Sequence, residues 1–172
     1  MLSASLAQLV RAPALQAGGR RFESYNSHQS FFMSIDINKF LNFHKENGGT
    51  GKLFNFEFKE HKEGFLELSG EFNELCLNPD GSVQGGMMTS MLDDVTALLL
   101  IYESGGTLYP SSTDLHTLHH RPLFKGEVTA RAILMKKGKN IATVRGELLN
   151  KDGKLVTTLV HTVFLIDREN RF

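Results

Sequence analysis

The chain has 172 residues, enough for one domain with a real hydrophobic core. Its 19 Lys and Arg balance 19 Asp and Glu, so no general field steers it towards nucleic acid or an anionic membrane. The longest unbroken apolar run, Ala97 to Tyr102, falls far short of the ~20 residues of a membrane helix, and a single cysteine, Cys76, excludes an internal disulfide framework and reads as a small core hydrophobe. These features predict a soluble, cytoplasmic protein.

Residues 1–32 differ from the rest. They are Ala-rich, basic at Arg11, Arg20 and Arg21, and free of acids before Glu23, which is a mitochondrial-type targeting composition. A secretory signal fits less well, because Arg11 interrupts the apolar stretch. A third reading is preferred: RFES at 21–24 is what the T-arm of a transfer-RNA gene encodes in one frame, and AQLVRA at 7–12 resembles a translated D-arm. On this reading the segment is upstream read-through and Met33 opens the protein. Residues 1–32 are then expected to be disordered or weakly packed, and dispensable for activity.

The next segment, IDINKFLNFHKEN, predicts an amphipathic helix with Ser34 as N-cap and Gly48 and Gly49 as its stop. Ile35, Phe40, Leu41 and Phe43 give it an apolar side that could cover a sheet as a lid. Phe54, Phe56 and Phe58 alternate with polar residues in LFNFEFKE (53–60), the two-residue period of a half-buried strand. HKEG turns it into a second strand, FLELSGEFNELCL. A long helix from about Gly85 to Glu103 follows, ended by Gly105 and Gly106. Four more strands complete the chain: SSTDLHTLHH, EVTARAILMK, NIATVRGELL and KLVTTLVHTVFLI. The turns KKGK and NKDG between the last three carry glycine where a positive φ is wanted. Six antiparallel strands and one dominant apolar helix make an α+β layout in which the sheet wraps the helix.

The long helix poses a chemical question. From Ser82 to Tyr102 its only charges are Asp93 and Asp94. Met87, Met88, Met91, Leu92, Val95, Leu98, Leu99 and Tyr102 fall on one stripe roughly 140° wide, which reads as core packing and not as a cofactor box. Asp94 borders the stripe. Asp93 lies nearly opposite, beside Thr89, Thr96, Ala97 and Leu100, a face without Lys, Arg or Glu that suits a subunit interface or a ligand tunnel. An ionised carboxylate there is costly unless hydrogen-bonded or used in chemistry. Gln84, Gly85 and Gly86 open the helix, so unpaired N–H groups and the positive end of its dipole meet whatever approaches. A carbonyl placed there would be polarised and an oxyanion stabilised; the competing reading is glycine used only to turn from strand to helix.

Asn78, five residues, then Gln84-Gly85-Gly86, six residues, then Asp93 resembles the signature of the PaaI-like acyl-CoA thioesterases of the hotdog fold, Asn, His-Gly-Gly and a helical Asp. The resemblance runs from about Leu53 to Asp167. It implies Asp93 as general base or nucleophile and the Gly85 N–H as the group holding a thioester carbonyl. Asn78, Gln84 and Gly86 would line the same site, facing Asp93 of the other subunit in a homodimer or a dimer of dimers. Ser112, on the strand after the helix, would assist Asp93, with Ser111 on the opposite face. The departure is Gln84, where histidine is commoner: an amide donates a hydrogen bond but does not titrate.

His116, His119 and His120 invite a metal reading, but on a strand His116 and His120 share a face that His119 does not. No carboxylate or cysteine completes a recognised spacing, so structural or surface histidines are preferred, with no metal or cofactor. Lys136, Lys137 and Lys139 form a basic turn, a solvated one or a contact for the phosphates of coenzyme A. The sequence thus predicts hydrolysis of acyl-CoA, with a non-catalytic acyl-CoA or lipid-binding hotdog module as the rival that Gln84 supports. A hotdog dehydratase would need a paired His and acid motif that is not found.

Overall fold

The computed structural model describes residues 36–168. The expectations for residues 1–32, and for Ser34 and Ile35, lie outside them. The first helix, α1 (Ile37–Asn47), takes Asp36 as N-cap in place of Ser34; its carboxylate accepts the N–H groups of Asn38 and Lys39 at 2.9 and 3.3 Å. Phe40 and Leu41 are buried as a covering helix requires, whereas Phe43 is exposed. Gly48 ends α1, but Gly49 opens a further helix, α2 (Gly49–Phe54). Asn55 then reverses the chain in the left-handed region, at φ 49°. The strand expected from Leu53 therefore begins only at β1 (Glu57–Lys62). Phe54 and Phe56 reach the core, and Phe58 stays exposed.

After β2 (Phe65–Phe72) the predicted second strand stops early: Asn73 accepts the Leu75 N–H at 2.9 Å and starts one 3-10 turn, Glu74–Cys76. Cys76 is buried, and burial pushes its thiol up from the ordinary cysteine value, the property of an inert core residue. The long helix α3 runs from Gly85 to Glu103 as expected, with Gly105 and Gly106 at positive φ beyond it. Four strands follow: β3 (Leu108–His119), β4 (Gly126–Lys137), β5 (Ile141–Asn150) and β6 (Leu155–Asp167). Gly153 adopts the positive φ expected of its turn, but Gly138 does not. The β4–β5 loop instead closes through the Gly138 N–H on the Ile141 carbonyl, at 2.8 Å.

The strands pair antiparallel in the order β1-β2-β4-β5-β6-β3, so β3 is an edge. The sheet curls round α3, and small residues let it come close. A Cβ at Gly146, in the middle of β5, would meet Leu92 Cβ and Leu159 Cβ at 3.3 Å; one at Gly70 in β2 would meet Met91 Cε at 3.3 Å. Ala130, Ala132 and Ala142 line the same concave face. Met88, Met91, Leu92, Val95, Leu98 and Leu99 are buried against it, each Leu so enclosed worth ~2–5 kcal/mol over Ala. Met87 and Tyr102, expected in the stripe, pack at its margin. Thr96 and Leu100, expected beside Asp93 on an open face, are fully buried, because β3 and β6 wrap that side of the helix too.

Candidate active site

Asp93 is held by two strands. Ser112, on β3, donates its hydroxyl to Asp93 Oδ1 at 3.0 Å. His161, on β6, brings Nε2 to 3.0 Å from Ser112 Oγ and 3.4 Å from the same carboxylate oxygen. The Asp93 side chain keeps 36% of its surface, whereas His161 keeps none. Alternation along β3 puts Ser112 on the helix side, opposite Val163, while Ser111 faces the other way; a bulge between Ser112 and Asp114 then shifts the alternation, so that Leu115, Thr117 and His119 take the inner face beyond it.

Hydroxyls stand on both sides of the imidazole. Thr96 Oγ1 lies 2.6 Å from the Leu92 carbonyl and 2.7 Å from His161 Nδ1. Ser112 spends its one proton on Asp93 Oδ1, so its contact with His161 is a hydrogen bond when Nε2–H donates to Ser112 Oγ, which leaves Nδ1 to accept from the Thr96 hydroxyl. Burial holds His161 below the ordinary histidine value, opposed by the carboxylates of Asp93 and Asp114. Burial thus favours the neutral ring. Its unfolded counterpart binds a proton more readily, so stability should fall as pH drops through about 6.5 and level off below the folded value. Chemical denaturation across that range should show this slope in the wild type and a weaker one in His161→Gln; equal slopes would refute the assignment.

Sequence alone missed His161. Alternation along β6 does place Leu159, His161 and Val163 on one face, and a lone ionisable residue among core positions was the available signal. Asp94, by contrast, faces α1. His44 Nε2 stands 3.4 Å from Asp94 Oδ2, and its ring stacks on Phe56, so this second carboxylate ties the covering helix to α3.

At the other end of the site, Gln84 is the N-cap of α3 and makes no side-chain capping bond. The Gly85 N–H has no acceptor among the described residues, as expected of a first-turn donor. Gly86 is exposed. An open cleft of about 400 Å³ lies here, lined by Gly85, Met88, His119, His120, Arg121 and Pro122. Asn78 is spent nearby: Nδ2 donates to Ser82 Oγ at 2.8 Å and Oδ1 accepts the N–H groups of Asp80 and Ser82, bracing the loop that leads into α3. His116 and His120 lie on the outer face of β3, His120 bonded to Thr158 Oγ1 at 2.9 Å, while His119 turns inward. Among the described residues, no group of three His, Cys, Asp or Glu could hold a metal.

Lys136, Lys137 and Lys139 are exposed around the β4–β5 turn. The cross-strand row Ser112, Val163, Ala142, Lys137 puts that turn level with Ser112 and three strands away, about 14 Å. No helix in the described residues is long and apolar enough to cross a membrane.

Residues 80–157 match the thioesterase superfamily. A solved structure of a phenylacetic acid degradation-related protein from Ralstonia eutropha is 33% identical, covers 74% of this chain and 98% of its own, and superposes with a TM-score of 0.65. Two more distant structures share the fold. A thioesterase from Haemophilus influenzae has 18% identity and a TM-score of 0.71, covering 82% of this chain and 98% of that one. The E. coli PaaI protein from the phenylacetic acid degradation operon has 22% identity and a TM-score of 0.65, covering 74% and 91%. Thirty-three per cent identity across nearly the whole Ralstonia protein, with the match over residues 80–157, makes this chain a PaaI-like hydrolase of the thioesterase superfamily, built on the hotdog fold.

Proposed function

We propose that the protein hydrolyses acyl-CoA thioesters at a site shared between two copies of the chain. The observation that carries this reading is the spacing of the two reacting groups. Gly85 and Asp93 lie eight residues apart on one helix, about 12 Å along its axis. A carbonyl bound to the Gly85 N–H is thus beyond reach of a water or a bond made by the same chain's Asp93.

The edge strand offers a route to a second copy. Within the chain β3 pairs only with β6, so its other edge is unpaired among the described residues. Ser112 and Asp93 sit towards the start of β3, and His119 and Gly85 at its end. Antiparallel pairing of β3 with itself, centred between Leu115 and His116, sets the His119 end of one copy beside the Ser112 end of the other. The two sites of the dimer are then each made of one copy's Gly85 and the other's Asp93. A dimer of dimers repeats the arrangement.

Within such a site the carbonyl oxygen accepts from Gly85 and the positive end of α3 adds to its polarisation. Asp93 Oδ1 is committed to Ser112, and Oδ2 has no partner among the described residues. Oδ2 is the oxygen that takes a proton from water, or that attacks the carbonyl and forms a mixed anhydride which water then opens. In the first route the water oxygen bonds to the acyl carbon, the carbon–sulfur bond breaks, and the thiolate leaves with the proton Asp93 collected. Ser112 accepts from His161 Nε2–H and so is held with its own proton on Asp93 Oδ1, which keeps Oδ2 turned to the reacting proton. Gln84 and Gly86 border the mouth, Asn78 shapes it, and Lys136, Lys137 and Lys139 are an exposed cation cluster level with Ser112 that could meet coenzyme A phosphates.

An acyl-CoA panel from acetyl through aryl to long-chain thioesters, followed by free thiol, tests the reading. Cleavage of at least one class is expected. Binding without cleavage across the panel would favour the non-catalytic acyl-CoA or lipid-binding module, which the exposed, uncommitted Gln84 supports. Label from heavy-oxygen water appearing in Asp93 after a single turnover would select the anhydride route, and its absence the general-base route.

A further inference from the structure

We infer that His119 is a second hydrogen-bond donor to the thioester carbonyl, standing beside the Gly85 N–H. This rests on the thioesterase reading above. No imidazole stands at position 84; the one that reaches the start of α3 comes from β3.

The contact is close. A Cβ built on Gly85 would lie 3.0 Å from His119 Nε2, with Cδ2 and Cε1 at 3.4 and 3.5 Å, so only glycine leaves the ring where it is. Nε2 therefore faces the same small volume as the free Gly85 N–H, inside the cleft that Met88 and Pro122 also line. The ring is anchored from behind. His119 Nδ1 lies 3.2 Å from Thr157 Oγ1, and Thr157 is fully buried on β6.

Thr157 also determines what the ring can offer. Its hydroxyl has two neighbours, His119 Nδ1 and the Met88 sulfur at 3.3 Å. A thioether is a weak acceptor, and a hydroxyl can donate to a ring nitrogen as readily as accept from it. Turning the proton from sulfur to Nδ1 costs little and moves the ring's own proton to Nε2. A carbonyl oxygen is acceptor only, so its arrival at Gly85 selects the Nε2–H form. As the carbonyl becomes an oxyanion, both donors strengthen, and the gain is made in the transition state. In that role His119 acts within one subunit, on the same side as Gly85, while Asp93 acts from the other.

The experiment compares His119→Ala, His119→Gln and Thr157→Val with the wild type on the thioesters that the wild type cleaves. Glutamine keeps an N–H donor near the position of Nε2, and valine removes the hydroxyl at almost constant volume. His119→Ala should lose about 10²-fold in kcat with KM nearly unchanged. His119→Gln should recover about 10-fold of that loss, and Thr157→Val should lose about 10-fold in kcat, the ring being present but free to turn. A kcat for His119→Ala within twofold of the wild type, or a loss confined to KM, would overturn the assignment. Should His119→Ala not fold, His119→Gln and Thr157→Val decide alone: wild-type kcat in both overturns it. If Asp93→Asn is inactive while His119→Ala is not, only this inference falls. A wild-type protein inert on the whole panel removes the thioesterase reading with it.

Discussion

Asp93→Asn should lower thioester cleavage by about 10²–10⁴-fold, the range lost with a general base, and leave ligand binding in place. Asparagine has the volume of aspartate and keeps a carbonyl oxygen for the Ser112 hydroxyl, which donates to Oδ1 at 3.0 Å in the native protein. The fold around it should therefore survive. What disappears is the negative charge and the basic oxygen, the two properties either chemical route needs. The check is release of free thiol from acyl-CoA, measured beside the affinity for a non-cleavable thioether analogue. Wild-type turnover by the Asn variant would remove Asp93 from the chemistry. Loss of binding together with turnover would make the residue structural.

Gly85→Pro should cost about 10²–10³-fold in kcat, the effect of removing one oxyanion donor. Position 85 is the first residue of α3, where proline's fixed φ suits the helix and its missing N–H breaks no helical bond. Gln84 already has the extended backbone, φ −59° and ψ 136°, that a residue before proline adopts. The substitution thus deletes the donor without weakening the helix start, although its ring also presses on His119, which stands 3.0 Å from the Cβ position. Thermal unfolding at wild-type temperature with lost turnover is the expected pair of results. Unchanged kcat would place the carbonyl elsewhere.

How far the sequence foretold this site follows from the range of each signal. The limits of α3 could be read directly, because a nineteen-residue apolar period is bounded by glycines at both ends. The pairing of Ser112 with Asp93 came through the family resemblance, and strand alternation along β3 agrees with it. Helix α2 was not: GTGKLF has two glycines and low helix propensity, and it forms because the chain packs there. A Cβ at Gly51 would lie 2.4 Å from the His44 carbonyl oxygen, so a residue chosen for contact looks locally like a turn. His161 stands 68 positions from Asp93, and only the register of β6 against β3 joins them. Thr96 and Leu100 looked outward because a helical wheel has no knowledge of a sheet that curls past the stripe. Asp94 was opaque for the same reason, its partner His44 lying on a separate helix.

The central claim is that each site takes Gly85 from one subunit and Asp93 from the other, and mixing two dead variants tests it most directly. Asp93→Asn and Gly85→Pro proteins, unfolded together and refolded at equal ratio, form mixed dimers in which one of the two sites carries both native groups. Random pairing of a two-fold dimer then restores about a quarter of wild-type activity, although neither variant alone is active. That recovery, absent when the two proteins are merely combined without exchange of subunits, is the predicted result. No recovery in a mixture shown to contain mixed dimers would contradict the shared site and require both groups to act within a single chain.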